Sequence, residues 1–183
     1  MNYRMTVMFL AAMSLLTMPL IAGHDGDKKT EREFRAELKG RNESPLTLSA
    51  GRGTLELTVN DLDTSVHFVL EYSGLLTPVA QAHIHVGQPN INGGVTVFFC
   101  GTVPAGFPTR AACPANGTVS GDFTAADVIG LTSQQLEVNN LAKLLAAIRA
   151  GKTYANVHTM TSPAGEIRGQ IHDEKGDKDK KDK

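Results

Sequence analysis

The sequence predicts an all-β domain, an antiparallel Greek-key sandwich or partly closed barrel, with a short helical crossover near residues 124–150. Three observations carry this prediction. Apolar residues recur with period two through most of the chain, the mark of strands with one packed and one wet face. Clusters of Asn, Asp, Ser and Gly punctuate those runs at turn spacing. The alternation lapses once, over a stretch with helical spacing.

The elements follow in order. Phe34, Ala36 and Leu38 alternate with Arg35, Glu37 and Lys39, giving a first strand. Leu55, Leu57 and Val59 define a second, which Asn60-Asp61 closes. Val66, Phe68, Leu70 and Tyr72 define a third, ended by Ser73-Gly74. Ala82 to Gly87 is a fourth, and Val95 to Phe99, after Asn92-Gly93-Gly94, is a fifth. Gly117 to Phe123 follows Asn116-Gly117, and the last strands are Tyr154 to Thr159 and Glu166 to Ile171. Between them, Thr124 and Asp127 are placed as a capping box for a short helix. Ser133 to Ala150 then sets Leu136, Leu141, Leu144, Leu145 and Ile148 near helical spacing, with Gly151 at the C-cap position.

The ends of the chain have a different character. Residues 1–23 read as a secretory signal: Arg4, an uncharged apolar run from Met5 to Ile21, and small residues Ala22-Gly23 before His24. The run is short for a membrane span, so no membrane association is expected after the signal is removed. Residues 24–32 form a charged leader, residues 33–172 the β domain, and residues 173–183 a polyampholyte tail expected to be disordered. The expected location is secreted, extracellular or periplasmic. Without Arg4 the chain carries 17 basic against 19 acidic residues, a balance that gives no electrostatic case for nucleic acid. In an oxidising compartment Cys100 and Cys113, with no competing thiol, are expected as a disulfide rather than a thiolate metal site or nucleophile.

Chemistry concentrates on two strands. Alternation puts His83 and His85 on one face, opposite Ile84 and Val86, and puts Tyr154, Asn156 and His158 on a shared face of another strand. Three readings follow. The first is a metal site of His83, His85 and His158, with His67 as candidate fourth ligand and Glu166 fixing a ring tautomer; imidazole suits copper or zinc, redox activity included. The second is a register-fixing polar network joining the histidines to Glu43, Asn156, Glu166 and Arg168. The third is a binding patch for an extracellular protein, a glycan or a small polar ligand. No Gly-x-Ser-x-Gly, His-Glu-x-x-His or phosphate-cradling glycine loop occurs, so an enzyme is the weaker expectation and no catalytic residue is assigned.

Several of these segments resemble the CHRD family, the domain first described in chordin and found widely in exported bacterial proteins. They are Phe34-Arg35-Ala36-Glu37-Leu38 with Gly40-Arg41-Asn42-Glu43, Ala82-His83-Ile84-His85-Val86-Gly87, the Cys100/Cys113 loop, Thr124 to Gly130, Ala147 to Gly151, and Tyr154 to Ile171. The stretch from Asn156-Val157-His158-Thr159 to Pro163-Ala164-Gly165-Glu166-Ile167-Arg168-Gly169 is the most diagnostic. Where the family usually has Asn-Glu-Val-Pro-Pro, this chain has Asn42-Glu43-Ser44-Pro45-Leu46, so the shape of that turn is not carried over. The resemblance implies an extracellular β-rich module and little about activity. The growth-factor antagonism of chordin-like proteins belongs to larger assemblies with cysteine-rich modules and is not transferred.

Overall fold

The computed structural model describes residues 32–174; the expected signal, most of the leader and most of the tail lie outside them. Nine strands form: β1 Glu33–Lys39, β2 Arg52–Val59, β3 Ser65–Ser73, β4 Val79–Val86, β5 Gly94–Gly101, β6 Gly117–Thr124, β7 Thr153–Thr159, β8 Ile167–Gln170 and the short β9 His172–Asp173. They make one antiparallel sheet in the order β5-β4-β7-β8-β1-β2-β3-β6, with β9 beside β1. The terminal strands β5 and β6 approach each other without pairing, and Phe99 of β5 meets Phe68 of β3, the strand next to β6, at 4.7 Å between ring centroids. The sheet is therefore a nearly closed barrel, the second of the two expected forms.

Alternation builds the core. On β1, β2 and β3 the inward residues Phe34, Ala36, Leu38, Leu55, Leu57, Phe68 and Leu70 are almost wholly buried, and their neighbours face water. Ile84, Val97, Ala155, Val157 and Ile167 complete the same interior. Two register shifts in the β4–β5 pairing, at Ala82/His83 and Ile84/His85, add residues to β5 and sharpen its bend. The expected disulfide is present: Cys100 on β5 is bonded to Cys113 in the loop before β6.

The helical crossover is shorter than its spacing predicts. Instead of one helix over Ser133 to Ala150, single 3-10 turns occupy Ala125–Asp127 and Thr132–Gln134, and α1 spans only Leu141–Arg149. The reason is local. Gln135 and Asn139 sit at φ 56° and 61°, left-handed values that end a helix, and Leu131 pairs with Leu136 in an isolated bridge. Asn140 then caps α1, its side chain accepting from the Lys143 backbone N–H at 3.0 Å. The Thr124 box forms as expected, with Asp127 accepting from the Thr124 N–H at 2.8 Å. From α1, Leu141, Leu144, Leu145 and Ile148 enter the core, and Gly151 ends the element at φ 63°.

One region departs from inside-in, outside-wet. All seven residues of β7 are buried, and on β4 the run Ala82 to His85 is buried on both faces. Loops cover the outer surface there. Thr47 donates to the Glu166 carbonyl at 2.7 Å, Asn92 to the Ser44 carbonyl at 2.9 Å, and Ser49 to the Glu166 carboxylate at 2.6 Å. The outward side chains of β4 and β7 thus lie in a second, polar interior beneath those loops.

Candidate metal centre

β4 and β7 pair directly, with His83 opposite Asn156, His85 opposite Tyr154, and Gln81 opposite His158. The period-two register therefore gathers all three histidines on the outer face of the barrel. Ring centroids are 4.7 Å apart for His83–His85, 4.5 Å for His83–His158 and 6.0 Å for His85–His158. One nitrogen from each ring lies within 4.8 Å of the other two, and the residues are only 1%, 8% and 6% exposed. No other His, Cys, Asp or Glu among the described residues joins the group.

Hydrogen bonds define which nitrogens carry lone pairs. His85 Nδ1 donates to the Gly93 carbonyl at 2.8 Å, and His158 Nδ1 donates to the Pro163 carbonyl at 2.9 Å. A carbonyl can only accept, so each of these nitrogens bears the proton and Nε2 keeps the lone pair when the ring is neutral. Both Nε2 atoms and His83 Nδ1 are buried without a partner; they are three of the five such side-chain atoms among the described residues. Leaving a buried polar atom unpaired costs about 1–3 kcal/mol, so three in one place form a concentrated set of unused acceptors. Backbone carbonyls holding the far nitrogen of a ring are also the usual support behind a metal-ligating histidine.

Electrostatics keep the rings neutral. Burial pushes His83 well below the usual imidazole range, with His85 and His158 adding to the effect. Burial brings His85 down to about 4, against the opposing bond to the Gly93 carbonyl. His158 is lowered by the same cause, its Pro163 bond again opposing. Neutral imidazole is the form that ligates.

The surroundings are partly aromatic. Phe98 stands edge-on to His83, 5.0 Å between centroids, and Tyr154 stacks on His85. The Tyr154 hydroxyl accepts from the Gly93 N–H at 3.1 Å, and the Arg168 guanidinium lies 4.9 Å from the Tyr154 centroid. Gly93 has to be glycine, since a Cβ there would sit 1.7 Å from the Val86 carbonyl oxygen.

The polar residues form a separate set. Asn156 donates to Glu43 Oε1 at 2.6 Å and to the Ile167 carbonyl at 3.1 Å, and Arg168 lies 3.7 Å from Glu43 Oε2. Arg168 also donates to the Asn42 carbonyl and to Asn92 Oδ1. Burial raises the Glu43 carboxyl to about 7, with Arg168 and Asn156 pulling the other way. None of the bonds within this set ends on a histidine. Two expectations are corrected here. Glu166 fixes no ring tautomer, because its oxygens accept from Ser49, Thr159 and the Leu76 N–H, and the two carbonyls take that role. His67 lies outside the group: it faces solvent on β3, with four strands between it and β4 along the sheet, 3.0 Å from Asp122.

The sequence placed the three imidazoles on one side but did not reveal the loops that bury them. Gly93 and Gly165 were the available signals. A Cβ at Gly165 would come within 2.8 Å of both Asn156 and Glu43, so chain and network meet there without spare room. A family model described as the CHRD domain matches residues 34–171. No curated protein matches the chain.

Proposed function

The chain belongs to the CHRD domain family, and we propose that it is an exported, non-enzymatic module of that family that holds a transition-metal ion, copper or zinc, on His83, His85 and His158. One arrangement carries this reading: three buried histidines from two paired strands bring one ring nitrogen each within 4.8 Å of the others, and each ring keeps a buried nitrogen without a hydrogen-bond partner. An ion bonded to all three at about 2.0 Å would hold them roughly 3.5 Å apart, so binding draws the rings inward by small side-chain adjustments. Export is supported by the apolar run ahead of Ala22-Gly23.

The bonds of Glu43, Asn156 and Arg168 fit a register-fixing role, since they join β7, β8 and the loop after β1. A purely structural use of the histidines is less well supported, because their remaining nitrogens take no part in those bonds.

Elemental analysis of protein purified from its natural compartment tests the proposal. One equivalent of metal per chain is expected, with loss in His85→Ala and retention in His67→Ala. Absence of metal, together with a melting temperature that added zinc and copper leave unchanged, would refute it.

A further inference from the structure

We propose that this site selects monovalent copper over divalent ions, an inference that rests on the metal-binding reading above. The donor count is the first argument. The group offers three imidazoles and, among the described residues, no carboxylate or thiolate within the same reach. Both Nδ1 protons are held by backbone carbonyls, neutral acceptors that leave the rings uncharged. The protein thus supplies no negative charge at the ligand atoms.

Enclosure is the second. His83 Nδ1 and the Nε2 atoms of His85 and His158 are shut off from solvent, and Phe98 stands as an apolar wall beside His83. The surface cleft behind Tyr154 is lined by Tyr154, Arg168 and Gln170 but by none of the three histidines. Zinc almost always takes a fourth ligand, and where the protein supplies three, that ligand is water or substrate. This enclosure provides little for that position. Monovalent copper, a closed-shell ion, is satisfied by two or three nitrogen donors.

Charge is the third. The cost of removing an ion from water grows with the square of its charge, so a divalent ion pays about four times what a monovalent one does. Burial among neutral ligands magnifies that difference. The Arg168 cation lies against Tyr154, which stacks on His85, and it disfavours added positive charge further. Glu43, which would offset Arg168, is bonded within its own network and lies outside the histidine group.

The test uses the purified metal-free chain under anaerobic conditions. Monovalent copper is supplied from a chromophoric chelator whose colour reports transfer, and zinc and divalent copper are titrated in parallel with their own indicators. Expected is one equivalent of monovalent copper, bound at least about 100-fold more tightly than either divalent ion, a gap smaller than the burial cost of the extra charge. X-ray absorption of the loaded protein is expected to show two or three nitrogen neighbours and no oxygen or chloride. Zinc or divalent copper bound as tightly would overturn the preference while leaving the metal-binding reading intact. Failure of all three ions to bind the wild-type chain would overturn both. Since the comparison is made on wild-type protein, it stands even if a histidine variant fails to fold.

Discussion

His85 and Tyr154, direct partners across β4 and β7, lie ring on ring, 4.6 Å between centroids and 4° between planes. Gly93 closes a circuit with them. Its carbonyl accepts from His85 Nδ1 and its N–H donates to the Tyr154 hydroxyl. Tyr154 therefore holds both the imidazole and the carbonyl that sets the tautomer of that imidazole, a supporting role of the kind that tunes metal ligands. Tyr154→Phe keeps the stack and loses one hydrogen bond, so a stability loss of about 1 kcal/mol is expected, with a small fall in metal affinity. Tyr154→Ala removes the stack as well. It is expected to cost about 3–5 kcal/mol in urea unfolding and to weaken metal binding about 10- to 100-fold. Equal metal affinity in Tyr154→Ala and wild type would show that the stack does not orient His85.

Glu166 is a buried carboxylate that works for the loops. Its oxygens accept from Ser49 Oγ at 2.6 Å, Thr159 Oγ1 at 2.6 Å and the Leu76 N–H at 3.0 Å. It thereby ties β7 to the two segments that follow β1 and β3. Glu166→Gln removes the charge and puts an amide NH2 in place of one oxygen, a position only the Thr159 hydroxyl can meet, by turning to accept, so the charge-assisted bonds become weaker neutral ones. A loss of about 2–4 kcal/mol is expected, since hydrogen bonds to charged groups contribute more than neutral ones. Protease cleavage near residues 46–50 and 74–78 should rise in step, because those loops lose a common anchor. A variant as stable and as resistant as wild type would contradict this account.

Reduction offers a third check. The Cys100–Cys113 bond closes a loop of 13 residues, for which chain entropy gives about 3 kcal/mol at most. Cys100→Ala/Cys113→Ala is expected to lower the unfolding free energy by about 2–3 kcal/mol. Metal stoichiometry should remain one per chain, because neither sulfur belongs to the histidine group. Loss of metal in this variant at temperatures where it remains folded would show that β5 must be tethered to shape the site.

The strands were legible because their burial is one-sided. On β2 and β3, Leu55, Leu57, Phe68 and Leu70 announce themselves against charged or polar neighbours. The helical crossover was legible, but its shorter extent, α1 at Leu141–Arg149, was not, because leucine spacing carries no notice of the left-handed residues Gln135 and Asn139. The histidines were placed on one face by alternation alone. Their burial depends on contacts with residues far away in sequence, such as Asn92 on Ser44 and Thr47 on Glu166, and no local pattern encodes those. Separation of the Glu43 network from the imidazoles is likewise a matter of which atoms face one another. Residue type alone made one cluster of what geometry divides into two.

Stability should depend on pH in a way that reports both clusters. In the unfolded chain a histidine takes up its proton near 6.5, whereas the folded His85 holds out to about 4 and His83 and His158 are also depressed. Below about 6.5 the unfolded state therefore binds more protons than the folded one, and the stability present at neutral pH is lost as pH falls. Glu43 acts in the opposite sense. Its folded value of about 7 lies above the ordinary 4.5, so between those values the folded state binds the extra proton and gains stability as pH falls. One titrating group contributes at most about 1.4 kcal/mol per pH unit, and the depressed imidazoles outnumber the single raised carboxyl, so the net change is a loss of stability as pH falls. Urea unfolding of metal-free protein between pH 7.5 and 4.5 should show this decline, and Glu43→Gln, lacking the opposing group, should show a steeper one. A flat profile in wild type would mean that the imidazoles are protonated or exposed in the folded state, and the closed, neutral donor set would not survive that result.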